Sequence, residues 1–126
     1  MTASIRVLAP ADLAAGAPTA GMVRNSAFEA AELWFGEVRT EPGVRSGWHH
    51  HGERTTYGYV VAGRLRFEFG PGGGQSVEAG PGDFFVVPPQ TVHRESNPST
   101  QEQVLVGARV GTGPSVVNVD GPDPAG

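Results

Sequence analysis

GWHHHGERTTYGYVVAG, running from Gly47 to Gly63, holds three of the chain's four histidines and passes from them into a β-branched, aromatic stretch. Side chains alternate between faces along an extended chain, so His49 and His51 point one way and His50 the other. Imidazole nitrogen is a preferred ligand for zinc, copper, iron and nickel. A pair at i and i+2 can clasp one ion and leave positions open for a third ligand and for substrate. The fourth histidine, His93, lies in GDFFVVPPQTVHRESN, from Gly82 to Asn97, and is the natural third ligand. A purification tag would sit at a terminus, whereas this run is central, follows Trp48 and leads into an apolar strand.

Downstream of the histidines, Thr56 to Ala62 reads as a strand and Ala62-Gly63 as a tight turn. From Arg64 to Phe69, Leu65, Phe67 and Phe69 alternate with Arg64, Arg66 and Glu68. That pattern predicts a β-hairpin. Upstream, Glu32 to Thr40 reads as a strand stopped at Glu41-Pro42-Gly43, Met22 to Phe28 as a weaker strand, and Ile5 to Leu8 as a short edge strand. Further strands are expected at Ser76 to Glu78, Phe84 to Val87, Val92 to Ser96, Val104 to Val110 and Val116 to Val119. Between them lie the loop Gly70 to Gly74, the turn Pro81-Gly82-Asp83 and the stop Pro88-Pro89. Roughly nine or ten short strands without a convincing helix make an all-β sandwich or barrel, whose mouth can hold a ligand.

Composition bounds the rest. A chain of 126 residues with 38% hydrophobic content is expected to form one domain with a real core, spanning about residues 22–119 after a connector over 1–21 and before a mobile tail over 120–126. Glycine (19) and proline (11) are too frequent for long helices. The absence of cysteine excludes disulfides, thiolate ligands and a cysteine nucleophile. All 9 basic residues are arginine, which excludes a lysine Schiff base, and a net charge of −4 makes nucleic acid a poor partner. No stretch approaches a membrane span, and MTASIRVLAPADLAAG lacks a charged region followed by a long apolar run; the expectation is a cytoplasmic protein.

Eight of these positions resemble the two motifs of the cupin superfamily: Gly43, His49, His51 and Gly63 match the first, and Gly82, Pro88, His93 and Asn97 the second. The resemblance implies a double-stranded β-helix, the cupin jelly-roll barrel, with one divalent metal ion held inside by His49, His51 and His93. Fe(II) ranks first among the ions, with Zn, Ni, Mn and Cu as alternatives. The departures bear on function. Seven residues before Gly63, where cupins usually carry a metal-binding glutamate, stands Thr56. It is shorter than glutamate and, as a neutral alcohol, competes poorly with water for an ion, so it is expected to leave that coordination region open. Gln90 replaces the glycine usual two residues after the second motif's proline.

Three imidazoles leave a divalent ion's charge uncompensated, which favours an anionic or enolate-like small molecule. Glu95 shares strand parity with His93 and is a candidate acid/base, and Glu53 sits at the expected barrel mouth; for both, a solvent-facing carboxylate is the commoner state. Asp83 reads as a turn cap, Arg64 and Arg66 as a solvated face, and Phe67, Phe69, Phe85 and Val60 as core or pocket lining. Trp48, Tyr57 and Tyr59 carry the opposite parity from the ligands, which predicts outward apolar surface and a homodimer. Two classes stay open: a metal-dependent enzyme, with Fe(II) dioxygenase chemistry ahead of isomerase, lyase or cyclase chemistry, and a non-catalytic module that binds a small ligand. An inward acid/base would favour the enzyme, and a site sealed by apolar side chains the binder.

Overall fold

Short runs of β-branched and aromatic residues, each cut off by glycine or proline, satisfy their backbone groups by pairing with distant runs. In the computed structural model, which describes residues 3–16 and 19–124, they do so as two antiparallel sheets. The strands are β1 (Ala14–Ala15), β2 (Met22–Ala30), β3 (Leu33–Thr40), β4 (His49–His50), β5 (Thr55–Ala62), β6 (Leu65–Phe69), β7 (Gln75–Ala79), β8 (Phe84–Val87), β9 (His93–Ser96), β10 (Gln103–Val110) and β11 (Val117–Asn118). One sheet runs β1-β2-β3-β10-β5-β8 and the other β11-β4-β9-β6-β7. The chain crosses repeatedly between them, which is the double-stranded β-helix.

The inner faces meet over Val60, Leu65, Phe67, Val87 and Leu105, with Val38, Phe69 and Phe85 packed alongside. Val60 and Leu65 are wholly buried, each contributing roughly 1.5–3 kcal/mol relative to exposure. This apolar layer closes the inside of the barrel beneath the site described below.

Two expectations need correction. The strands expected to form a hairpin exist, but β5 and β6 lie in different sheets. Their inner faces meet across the core instead of pairing edge to edge. Alternation records which side chains are buried, and it is the same for a hairpin as for two strands facing each other across an interior. Gly63 makes the corner at φ +76°, and a Cβ there would stand 2.7 Å from the Glu102 carbonyl oxygen, so the position requires glycine. Second, Ile5 to Leu8 forms no strand; Ile5 is 97% exposed because no partner face is available to it. The edge is Ala14–Ala15, paired with Ser26 and Asn25. Within the described part of the tail, the Gly72 amide donates to the Asp123 carbonyl oxygen at 3.2 Å, and Pro122 lies near Gly73.

Candidate metal centre

Neighbouring strands β4 and β9 are in a register that sets His49 opposite His93. His51, two residues on, returns to the inner face. The three rings are buried, at 5%, 2% and 5% exposure for His49, His93 and His51, and one ring nitrogen from each lies within 4.8 Å of the others. His50 is left on the other side, as parity predicts, and is only partly buried.

Backbone carbonyls fix the protonation of all three rings. His49 Nδ1 lies 2.9 Å from the Gly47 oxygen, His93 Nδ1 2.8 Å from the Thr91 oxygen, and His51 Nδ1 2.6 Å from the Ser115 oxygen. A carbonyl can only accept, so each Nδ1 carries a proton and donates it, which makes Nε2 the nitrogen that bears the lone pair in the neutral ring. His50 is the internal contrast: its Nδ1 accepts from the Gly52 amide at 3.0 Å. Burial pushes His51 down to about 3, helped by the charge of Arg109, and burial likewise lowers His93. Neutral imidazoles with oriented lone pairs are the donor set a divalent first-row ion requires, with the carbonyls holding ring orientation behind them. Histidine nitrogens of this kind fit a metal ion.

The opposing sheet closes the site. Across β3, β10 and β5, the register aligns Trp34, Arg109 and Thr56 in one row facing the histidines. These residues, with His51, His93 and Glu95, line a cavity of about 30 Å³. Glu95 therefore faces inward, on the same side of β9 as His93, and its negative charge opposes the burial that lowers Arg109. The Thr56 hydroxyl oxygen is buried and, among the described residues, has no hydrogen-bond partner.

The other candidates fall outside this cavity. Glu53 is exposed and accepts a hydrogen bond from Gln90. Gln90 adopts the glycine-like φ of +55° and donates its amide to the Gly52 carbonyl, so the turn keeps the geometry of the residue it replaces. Asp83 caps its turn through the Gly80 amide at 2.8 Å. Arg64 and Arg66 pair with Glu78 on the surface. Asn97, wholly buried, bonds the carbonyls of Thr40 and Gln101 and is a structural staple between loops. Tyr57 and Tyr59 face out at 55% and 37% exposure, but Trp48 lies under the Arg94 guanidinium at 4.4 Å and beside Gly121, so it is not part of their open face.

Sequence reasoning missed Arg109. No motif marks it, but it follows Leu105 and Gly107 at i+2 spacing, and the same parity that separated His49 from His50 would have placed it inside.

A family model described as a cupin domain matches residues 36–107. No curated protein matches the sequence. Among solved structures, an uncharacterised protein of Klebsiella pneumoniae with a double-stranded β-helix domain superposes with a TM-score of 0.74 at 16% identity, over 92% of this chain and 98% of that one. KdgF from Halomonas sp. gives 0.69 at 21% identity, over 85% and 94%. Oxalate decarboxylase of Bacillus subtilis, which has Mn(II) centres, gives 0.70 at 19% identity over 81% of this chain; the chain spans only 29% of that protein's length. At these identities the likeness is one of fold.

Proposed function

Because the chain belongs to the cupin family, we propose that it is a mononuclear metal enzyme acting on a small anionic organic molecule, with His49, His51 and His93 as the metal ligands. The observation that carries this reading is the common orientation of three buried imidazoles, two of which line a cavity that also holds the Glu95 carboxylate. A site meant only to hold a ligand has no use for an inward acid/base, and Glu95 supplies one. A bound divalent ion would contribute Lewis acidity and, as Fe(II), reactivity toward oxygen. Glu95 takes up or returns a proton on the substrate, while Thr56 leaves the neighbouring coordination region clear. The apolar layer of Phe67, Phe85 and Leu105 keeps bulk water out from below.

Fe(II) dioxygenase chemistry is the leading form of this proposal, since three protein ligands leave room for substrate and oxygen together. Glu95 supports a second form, proton transfer without oxygen, as in metal-assisted isomerase or lyase chemistry. Oxygen uptake by Fe(II)-loaded protein with a panel of small organic acids tests the first, and anaerobic exchange of substrate C–H for solvent deuterium the second. Absence of both in metal-loaded protein would contradict the enzyme reading. The outer face around Tyr57, Tyr59 and Phe84, where Tyr59 and Phe84 meet edge to face at 4.8 Å between ring centroids, is proposed to pair with a second copy. A monomer in sedimentation at micromolar concentration would overturn that.

A further inference from the structure

Arg109 is nine-tenths buried and lines the cavity, and among the described residues its guanidinium has no hydrogen-bond or ion-pair partner. Its contact is with the face of Trp34, at 5.0 Å from the ring centroid. Stacking occupies a face and leaves the five N–H donors of the planar edge unspent. Burying a charge in this state is costly unless something pairs with it. Glu95 is the carboxylate that lines the cavity, and its charge is felt at Arg109, but it stands on the opposite sheet and makes no direct ion-pair contact with it. Thr56, the Cα partner of Arg109 across β5 and β10, brings a second unspent donor to the same place. Side chains so paired have Cβ atoms about 4.5–5.5 Å apart, so one small group can meet both.

Resting on the reading of the three histidines as a metal site, we propose that Arg109 and Thr56 form a cradle for the carboxylate of a small 2-oxo or 2-hydroxy acid. A carboxylate is planar, matches the guanidinium edge with two parallel hydrogen bonds and has a lone pair for the threonine hydroxyl. It also corrects the charge: a divalent ion and Arg109 together outweigh Glu95. The oxygen on the adjacent carbon would then be left to face the histidines, where an ion held by them would draw on it as a ligand. A cavity of about 30 Å³ limits the size, since roughly 10–15 Å³ of such volume holds one water. The acid is therefore one of a few carbons. The larger cleft of about 250 Å³, walled by Phe69, Val77 and Val86 with Thr91 and His93, is mostly apolar and brings no cationic side chain to a carboxylate.

Calorimetric titration of untagged protein, both metal-free and Zn(II)-loaded, with pyruvate and glycolate tests the proposal, using acetone and ethylene glycol as neutral controls. Both acids should bind and the controls should not. Arg109→Gln should weaken the acids on the order of 100-fold with metal content unchanged, Arg109→Lys should recover part of the loss, and Thr56→Val should cost about fivefold. Arg109→Met separates a binding role from a packing role. Removal of an unpartnered buried charge should leave the melting temperature at or above that of the wild type while abolishing acid binding. A lower melting temperature with acid binding retained would make Arg109 a packing residue and overturn the cradle. So would acids that bind no better than the neutral controls. If wild-type protein takes up no metal yet binds the acids through Arg109, the metal reading fails and the cradle stands; metal uptake without acid binding is the reverse.

Discussion

The two sheets that face each other across the cavity divide the chemistry between them. The sheet containing β4 and β9 supplies three imidazoles and one carboxylate, every ring held from behind by a carbonyl. The sheet containing β3, β10 and β5 supplies a cation that stacks on Trp34 and a buried hydroxyl, neither with a hydrogen-bond partner among the described residues. The rings on one wall are held from behind while the cation and the hydroxyl on the other are not, which fits the proposal that the first wall holds a metal ion and the second meets a ligand. Substitutions on the two walls should therefore separate metal retention from ligand affinity.

The largest effect is expected on the histidine wall. His49→Ala, His51→Ala or His93→Ala should each lower metal affinity by about 100-fold or more, while His50→Ala, one residue from two of them, should change it less than about threefold. Metal analysis after dialysis against a weak chelator measures this, and equal losses from His50→Ala would erase the distinction between the two faces of β4.

Acid should act on the same wall. Unfolded His51 takes a proton near pH 6.5, whereas the buried ring refuses it until about pH 3. Between those values the unfolded chain binds more protons, so stability of the metal-free protein should fall as pH drops through that window, by at most about 5 kcal/mol from this ring alone. His93 adds in the same direction. Urea denaturation of metal-free protein at stepped pH gives the slope; His51→Gln should flatten it, and an unchanged slope would show that the ring is not held neutral.

Thr56 lies on the opposing wall and should behave differently. Thr56→Val should leave metal content nearly unchanged. Thr56→Glu should tighten metal about tenfold and weaken any anionic ligand, because it adds negative charge where that ligand sits. A large loss of metal in Thr56→Val would place the threonine among the ligands. The smallest effect belongs outside both walls, where Arg94 pairs with Glu68 at 3.0 Å and covers Trp48. Arg94 holds the Glu68 carboxyl below its ordinary range, so this contribution is present above about pH 4.5 and fades as pH falls through the lowered value. Arg94→Ala should cost only about 1 kcal/mol in chemical denaturation.

The histidine wall was legible in the sequence because metal ligation imposes residue type and spacing together: His49 and His51 at i and i+2, and His93 within a second motif. Glu95 followed from parity with His93. The opposing wall left no such record. Arg109 has no fixed spacing to any ligand in the chain, since its relation to Thr56 and Trp34 arises only when β10 pairs with β5 and β3. The misread hairpin has the same origin. Periodicity shows that Val60 and Leu65 are buried, but whether their strands lie beside or opposite each other depends on contacts made elsewhere, here those of β10 with β5 and of β9 with β6.

The central claim, that three imidazoles with inward Nε2 lone pairs form one metal centre, is tested most directly by X-ray absorption spectroscopy on untagged, metal-loaded protein. The spectrum should fit three imidazole nitrogens at about 2.0–2.1 Å with oxygen ligands completing the shell, and it should be unchanged in His50→Ala. Two or fewer imidazoles in the wild type, or a coordination shell altered by removal of His50, would contradict it.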